Sequence, residues 1–552
     1  MLQGMMMDRP LSVPTIIDYA KDLYPKVEVV SAAVEGGLHR YGYGEAHRRI
    51  SQLAHALKAL GVRPGDRVAT LAWNGYRHFE IYYAVAGLGA VCHTINPRLF
   101  EGQLAYIVRH AQDKVLFFDL TFAPILKKMQ ADWPEELRYV AMTDAAHMPE
   151  EAAGLPDLLC YESLLAGQPE HFSWVEVDER AAVGLCYTSG TTGDPKGALY
   201  SHRSTVLHAL SCVATGMPSY GAGRKILPVV PLFHVNAWGL PYSAPLTGTG
   251  LVFPGAKLDG ASLFQLMDEE EVESAWGVPT VWLGLLQEIK KRQRLPKGLS
   301  MVLIGGSAAP RSMIATFERD YGLDVCHGWG MTEMSPVGST TVLSPEMAEA
   351  EVEQRIDYKM NQGRRVFNVE MKIVDPAGRP LPHDGVAQGE LHVRGPFIAS
   401  GYYANEAASK AALDAEGWFR TGDVARITAD GFLQLVDRTK DLVKSGGEWI
   451  SSIDLENIAI GHPAVANCAV IAVPHPKWDE RPLLCVVKAV DVEASKQEIL
   501  DFIAAKVAKW QVPDDVVFLD SLPLTATGKI SKLTLRQQLG DYRLPGTEAE
   551  AS

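Results

Sequence analysis

Short apolar segments alternate with helical patterns well into the second half of the chain. Between residues 43 and 60, Ile50, Leu53 and Leu57 recur at the spacing of one helix face. The apolar run that follows, residues 67–72, is short enough for a buried strand. Strands that alternate with helices in this way predict parallel sheets with helices on both faces.

The pattern changes near residue 362 and again near Asp437. Short strands at residues 370–374 and 389–393 are separated by Gly, Pro and Asp turns, which is typical of a small β-barrel or antiparallel sheet. After Asp437 strands and helices follow each other more compactly, and residues 496–509 are predicted to form one amphipathic helix.

A chain of 552 residues exceeds what a single hydrophobic core usually supports, so at least two domains are expected. We predict an α/β fold. The large N-terminal domain, residues 1–436, should contain stacked, mostly parallel α/β sheets plus a small β-barrel subdomain. A smaller, mobile α+β domain, residues 437–552, should follow it.

The composition excludes several classes of partner. With 66 acidic and 52 basic residues the net charge is −14, which disfavours broad binding to nucleic acid or to anionic membranes. The seven cysteines lack C-x-x-C spacing, which indicates a reducing compartment without a disulfide framework or a zinc site. No signal peptide is recognised, and no apolar run reaches the roughly 18 to 20 residues that span a bilayer. We expect a cytoplasmic protein that is not integral to a membrane.

Residues 187–197 read Tyr-Thr-Ser-Gly-Thr-Thr-Gly-Asp-Pro-Lys-Gly. Glycines can expose consecutive backbone N–H groups, and hydroxyls and a lysine add donors and charge, which suits a polyphosphate. The string differs from the nucleotide P-loop, because two residues separate its glycines and Gly197 follows Lys196. A plain surface turn is the alternative. The candidate phosphate-binding residues are Thr188, Ser189, Gly190, Thr191, Thr192, Gly193 and Lys196.

Two further segments place polar groups in apolar surroundings. Residues 231–242 contain His234 and Trp238, although a lone histidine is more often structural. Residues 301–310 are predicted to form a strand that enters a glycine turn, and they lack the complete dinucleotide-binding fingerprint.

Residues 325–334 read Val-Cys-His-Gly-Trp-Gly-Met-Thr-Glu-Met. Trp329 can stack on a purine, and Glu333 offers the kind of oxygen ligand that Mg²⁺ prefers. Asp423, within residues 418–424, could accept hydrogen bonds from a ribose. The alternatives are a helix cap for the Thr-Glu pair and a simple Gly-Asp turn.

Residues 437–450 contain several charged side chains, which alone would suit a solvated linker. Residues 523–529 end in Lys529, which alone would suit a surface lysine. In combination and in this order, however, all these segments resemble the motifs of the adenylate-forming (AMP-binding) superfamily, from about residue 17 to residue 535. Trp329 replaces the usual tyrosine but retains the ability to stack. Residues 445–452 and 475–482 are similar to bacterial medium- and long-chain fatty acyl-CoA synthetases and to methylmercaptopropionate-CoA ligases.

The resemblance implies a role for each candidate residue. The catalytic residues would be Lys529, Glu333 and His234. ATP and AMP would be bound by the phosphate-loop residues given above and by Gly305, Gly306, Ser307, His327, Gly328, Trp329, Gly330, Thr332, Asp423 and Arg438. The acid would be bound by His234, Trp238, Gly330 and Met331, and Mg²⁺ by Thr188 and Glu333. The CoA loop would be Gly446, Gly447, Glu448 and Trp449, and the hinge would be Asp437.

The activity implied is that of an AMP-forming acyl-CoA synthetase, with ATP and CoA as co-substrates and Mg²⁺ as cofactor. An apolar monocarboxylic acid is expected, first a medium- or long-chain fatty acid. Methylmercaptopropionate, an aryl or cinnamic-type acid and an acceptor other than CoA remain open. A kinase or P-loop ATPase and a non-catalytic binding module are disfavoured, because the Walker spacing is absent and Lys529, Glu333 and Asp423 are present. Many members of the superfamily are dimers, so a homodimer is expected.

Overall fold

The computed structural model describes residues 2–152, 154–188, 194–446, 448–489, 492–525 and 529–545. In chain order the strands are β1 Glu28–Ala32, β2 Leu38–Gly42, β3 Arg67–Leu71, β4 Val91–Thr94, β5 Asp113–Phe118, β6 Arg138–Ala141, β7 Leu159–Cys160, β8 Ala182–Thr188, β9 Lys196–Ser201, β10 Lys225–Pro228, β11 Gly250–Phe253, β12 Ser274–Gly277, β13 Met301–Ile304, β14 Asp324–Gly330, β15 Val337–Thr340, β16 Arg364–Arg365, β17 Glu370–Val374, β18 Gly389–Arg394, β19 Phe419–Ile427, β20 Leu433–Arg438, β21 Val443–Ser445, β22 Glu448–Ile450, β23 Val465–His475, β24 Asp479–Lys488 and β25 Asp515–Phe518.

The α-helices connect these strands. They are Pro14–Leu23, Tyr43–Ala59, Tyr76–Gly87, Glu101–Ala111, Ala123–Met129, Tyr161–Leu165, His202–Val213, Leu240–Leu246, Gly260–Glu269, Pro279–Arg292, Arg311–Ala315, Pro345–Ala348, Val352–Met360, Glu406–Ala412, Ser452–Ala459, Lys496–Ala504 and Lys532–Gln538. Among the described residues, none of these helices combines the length and the hydrophobicity that a membrane-spanning segment requires.

Two large sheets form the N-terminal part. One has the order β16-β15-β14-β13-β12-β10-β11-β1-β2, and the other β7-β6-β5-β3-β4-β8-β9. Both are parallel at their centres and antiparallel at an edge, where β2 pairs with β1 and β9 with β8. The predicted stacked, mostly parallel α/β architecture is confirmed.

One hydrophobic core lies between the two large sheets. The helix Tyr76–Gly87 is buried along its whole length, and Phe79 packs in one cluster with Phe117 of β5 and Phe253 of β11. Its polar side chains Arg77, His78 and Glu80 are buried as well, so other parts of the protein cover the helix on all sides. The two sheets therefore share this helix as part of a common core.

Two smaller sheets follow in the described part of the chain. The four strands β17-β18-β19-β20 form an antiparallel sheet in the place of the expected β-barrel, and within the described residues their hydrogen-bonded ladder does not close on itself. The sheet in the C-terminal part has the order β22-β21-β24-β23, and β25 pairs with β24. Two clusters of apolar side chains, which are separate from the core of the large sheets, pack this sheet against helices. The predicted boundary after residue 436 falls within β20.

One local prediction differs from the structure. The helix expected over residues 496–509 ends at Ala504, because the chain must turn there to bring β25 alongside β24.

Residues Lys196–Ser201 form a strand, so the segment with the phosphate-loop motif connects two antiparallel strands, and the following helix begins at His202. Ser201 caps that helix by accepting a hydrogen bond from the Ser204 N–H.

Asn74 connects the two large sheets. Its side-chain amide donates to the carbonyl oxygens of Pro228 (2.7 Å) and Val230 (2.9 Å), and its Oδ1 accepts from the Leu232 N–H at 2.6 Å. We expect Asn74→Ala to lower the free energy of unfolding by about 3 kcal/mol, because several buried backbone groups lose their partners. Urea denaturation followed by tryptophan fluorescence measures this.

The matched control is Asn96→Ala. Asn96 is also buried, but its Oδ1 accepts only one bond, from the nearby Arg98 N–H at 3.0 Å, among the contacts described. A loss of about 1 kcal/mol is expected there. Equal losses for the two variants would contradict a connecting role for Asn74.

Candidate active site

The phosphate-loop motif begins and ends on the paired strands β8 and β9. Thr188 lies opposite Lys196 in this pair, and its hydroxyl donates to the Lys196 carbonyl at 3.4 Å. The intervening candidates lie outside the described residues; they are Ser189, Gly190, Thr191, Thr192 and Gly193. The Lys196 ammonium lies 5.2 Å from the centre of the Tyr402 ring.

The glycine turn after β13 is closely approached from two sides. A Cβ atom added at Gly305 would lie 2.9 Å from the Trp238 ring, and one added at Gly306 would lie 3.4 Å from Cε of Lys529. Gly306 also has φ = +82°, which favours glycine. The turn, which continues into Ser307, thus lies between Trp238 and Lys529.

The Asp423 carboxylate contacts both the Trp329 indole and the Arg438 guanidinium. Its Oδ2 accepts from the Trp329 indole N–H at 2.9 Å, and its Oδ1 accepts from Arg438 Nε at 2.9 Å. Asp423 is buried, and its charge raises the pKa of Arg438. A carboxylate has further lone pairs, so it can still accept from a ribose hydroxyl.

The short helical turn Thr332–Met334 carries the candidate metal ligand. The Thr332 carbonyl accepts from the Tyr200 hydroxyl at 2.7 Å. Glu333 is only 6% exposed, and burial raises the pKa of its carboxyl group, while a 2.8 Å hydrogen bond from the Tyr402 hydroxyl works in the opposite direction. Tyr402 lies outside every segment that the sequence analysis singled out.

The ring of His327 is held by backbone groups of other segments, and its expected nucleotide contact stays a prediction. Its ring is fully buried: Nδ1 lies 3.0 Å from the Lys359 carbonyl, and Nε2 accepts from the Ala309 N–H at 3.4 Å. Its own carbonyl accepts from Thr341. Burial lowers the pKa of this imidazole to about 4, so it is neutral.

Gly328 and Gly330 are required for strand packing. A Cβ atom at Gly328 would lie 3.2 Å from the Ser339 carbonyl oxygen, and one at Gly330 would lie 2.1 Å from that of Pro336. Close approach of this backbone explains both glycines without any ligand. Their expected contacts with nucleotide or acid stay predictions.

His234 precedes an unusual turn, and Trp238 is the last residue of that turn. The four residues Val235–Trp238 all have positive φ, between 45° and 58°, and Gly239 follows at 82°. Left-handed backbone costs about 1–2 kcal/mol for each residue with a side chain. Buried contacts hold it, among them the Tyr82 hydroxyl, which lies 2.9 Å from Asn236 Oδ1. The turn fixes the direction of Trp238, which packs partly buried beside the same cluster as Met331.

Lys529 reaches into this region from the C-terminal part of the chain. Its pKa is lowered to about 8, mainly by burial and also by the positive charge of Arg438, while Asp423 acts in the opposite direction. Burial, together with the charge of Lys529, lowers the pKa of His234 to about 3. The structure therefore brings Lys529 together with Gly306, His234, Asp423 and Arg438.

The predicted hinge is tied to the C-terminal part. Asp437 Oδ2 accepts from both the N–H and the hydroxyl of Ser452, each at 2.6 Å. Burial raises the pKa of Asp437, and the positive charge of Lys532 opposes this.

The predicted CoA loop lies on the hairpin β21–β22. Gly446 has φ = +61°, and its N–H donates to the Trp478 carbonyl at 2.8 Å. Glu448 and Trp449 are exposed on β22. Gly447 lies outside the described residues.

Comparisons with known proteins bear on the family of the chain. Residues 21–403 match the family model of the AMP-binding enzymes, and residues 454–529 match that of the AMP-binding enzyme C-terminal domain. The chain is 48% identical over 538 residues to a 3-methylmercaptopropionyl-CoA ligase of Ruegeria lacuscaerulensis, covering 98% of this chain and 99% of that protein. It is 46% identical over 541 residues to a medium-chain-fatty-acid–CoA ligase of Ectopseudomonas oleovorans, covering 98% of both.

Among solved structures, that of an anthranilate CoA ligase in complex with anthranoyl-AMP has a TM-score of 0.84 and 24% identity, covering 97% of this chain and 98% of that one. This likeness supports the fold. The resemblance inferred from the motifs is confirmed by the family models and by the two sequence relatives. The chain therefore belongs to the family of AMP-binding enzymes.

Proposed function

We propose that the protein is an ATP-dependent acyl-CoA ligase. It would join a monocarboxylic acid to AMP with release of pyrophosphate, and then transfer the acyl group from AMP to the thiol of CoA. The observation that carries the proposal is the position of Lys529 beside Gly306 and the Asp423–Arg438 pair. A carboxylate cannot be attacked by a thiol at a useful rate, because its leaving group would be oxide. Adenylation supplies a leaving group.

In the first step Lys529 would bind the carboxylate of the acid and the α-phosphate of ATP. Its positive charge would stabilise the negative charge that builds up as the acid attacks, which is usually the largest catalytic contribution. Trp329 would stack on adenine, and Asp423 and Arg438 would hold the ribose. His234 is neutral and could donate a hydrogen bond to the reacting carboxylate.

Mg²⁺ is the proposed cofactor, with Glu333 and Thr188 as its protein ligands. Mg²⁺ is usually held by one or two carboxylates plus phosphate oxygens and water, and a single buried carboxylate fits that pattern. The described residues contain no cluster of three or more His, Cys, Asp and Glu side chains that could hold a metal ion without a substrate. When bound, Mg²⁺ would offset the charge of the phosphates.

For the acid we propose an apolar chain, with a medium- or long-chain fatty acid as the first choice. Trp238 is packed partly buried against Trp276, at 6.4 Å between ring centres, and it covers Gly305. The surroundings are apolar, which argues against amino acids and dicarboxylates. The two relatives act, by their names, on acids of different length, so 3-methylmercaptopropionate and aryl acids are the alternative substrates.

In the second step the C-terminal domain would rotate about Asp437. This rotation would withdraw Lys529 and present the loop of Gly446, Gly447, Glu448 and Trp449 to CoA. We further propose that the enzyme acts in the cytoplasm as a homodimer, without nucleic-acid or integral-membrane partners.

The function is tested by pyrophosphate release with ATP and Mg²⁺ across linear acids from acetate to palmitate, with methylmercaptopropionate and cinnamate added, each with and without CoA. We expect sustained turnover only with CoA and the highest kcat/KM for a medium- or long-chain acid. Pyrophosphate release without acyl-CoA would indicate another acceptor, and no release with any acid would refute the ligase.

Replacing Lys529 by alanine should separate the two steps. We expect Lys529→Ala to slow acyl-adenylate formation by about 10²- to 10³-fold, because the transition-state charge loses its partner. Transfer from a supplied acyl adenylate to CoA should stay near the wild-type rate. Lys509→Ala, at an exposed lysine of the same domain, is the control. Wild-type adenylation by a folded Lys529→Ala variant would rule out this role.

The pH profile offers an independent check on the same residue. Because the pKa of Lys529 is about 8, the side chain is charged below that pH and loses its proton above it. The kcat/KM for ATP, which reports the free enzyme, should therefore fall as pH rises through about 8. Lys529→Arg stays charged and should move the decline to higher pH. An unchanged decline in that variant would assign the titration to another group.

A further inference from the structure

Tyr402 makes a single polar contact that bears on the proposed metal site. Its hydroxyl donates to Glu333 Oε1 at 2.8 Å. A tyrosine hydroxyl carries its proton at neutral pH, so it acts here as the donor. Because Glu333 is buried, the direction of its carboxylate depends on such fixed partners.

The backbone around Tyr402 is attached to both sides of the site. The Ala399 N–H donates to the Glu333 carbonyl at 2.7 Å, and the Tyr403 N–H donates to the Gly197 carbonyl at 2.8 Å. The Tyr402 N–H itself donates to Ser409 Oγ at 2.8 Å. The loop therefore connects the turn that carries Glu333 with the strand β9 that follows the phosphate-loop motif.

The ring of Tyr402 has a second neighbour. The ammonium of Lys196 lies 5.2 Å from its centre, within the range of a cation–π interaction. One side chain thus touches the candidate metal ligand with its hydroxyl and the candidate phosphate-binding lysine with its ring face.

A neutral hydroxyl, unlike a cationic partner, leaves the negative charge of the Glu333 carboxylate available to a metal ion. It occupies one lone pair of Glu333 Oε1 and orients the carboxylate without neutralising its charge, so Oε2 stays available to a divalent cation. An arginine or lysine in the same place would compete with that cation.

We propose that Tyr402 is a positioning residue, which aims the Glu333 carboxylate at the Mg²⁺ of Mg·ATP and holds Lys196 beside the phosphates. This inference rests on the proposed function for the identity of the nucleotide. Tyr402 itself lies outside the motifs that contain Glu333 and Lys196.

The test uses equilibrium binding, which needs neither acid nor CoA. Mn²⁺ binding to the enzyme with α,β-methylene ATP is measured by electron paramagnetic resonance for the wild type and for Tyr402→Phe. We expect Mn²⁺ affinity to fall about 10- to 100-fold, as is found when a partner of a metal ligand is removed. Tyr403→Phe is the matched control, because it removes a hydroxyl one residue further along the loop, from a ring packed edge-on against His110 at 5.4 Å.

A second variant separates positioning from a general effect on folding. In the Glu333→Gln background, Tyr402→Phe should have no further effect on Mn²⁺ affinity, because the carboxylate it positions is gone.

Unchanged Mn²⁺ affinity in Tyr402→Phe, or equal losses in Tyr402→Phe and Tyr403→Phe, would overturn the inference. Because these measurements involve no turnover, their failure is distinct from failure of the ligase. An enzyme that forms no acyl-CoA but loses Mn²⁺ affinity as described would support the role of Tyr402 and refute only the reaction.

Discussion

The buried carboxylate of Asp423 is the contact on which the arrangement of the site depends. A buried charge is tolerated only when partners compensate it, and here the partners are the Trp329 indole and the Arg438 guanidinium. Trp329 belongs to the nine-stranded sheet, Asp423 to the four-stranded sheet, and Arg438 follows the predicted hinge residue Asp437 directly. One carboxylate therefore fixes the relative position of two sheets at the point where the chain leaves for its C-terminal part.

Around this pair, side chains of both charge signs lie close together. Glu333 is near Arg438 and Lys196, and Lys529 is near both Arg438 and Asp423, as the effects on their pKa values indicate. Arg438 is also near Asp441 and Asp437. The basic side chains of this cluster can bind a polyanion, while the carboxylates offset part of their buried charge. The protein as a whole is strongly acidic, so attraction for ATP must come from this local arrangement.

The sequence predicted the alternating strands and helices and the order of the motifs, because periodicity and local residue types are readable along the chain. It did not predict Tyr402, since its partner Glu333 is far away in sequence and no local pattern marks a donor for a buried carboxylate. His327 lies within a motif, yet its ring turns inward to bind backbone groups of other segments. The left-handed turn Val235–Trp238 could not be predicted either, because none of its four residues is a glycine and its conformation depends on the surrounding packing.

The common core of the two large sheets has a consequence for synthesis of the chain. Strand β1 pairs in parallel with β11, so that Val29 lies beside Leu251. Until β11 has left the ribosome, β1 lacks this neighbour and the helix Tyr76–Gly87 lacks one of its apolar walls. Contacts so distant in sequence form slowly and leave aggregation-prone surface exposed meanwhile. The C-terminal sheet, built on the adjacent strands β23 and β24, can form as soon as it is made.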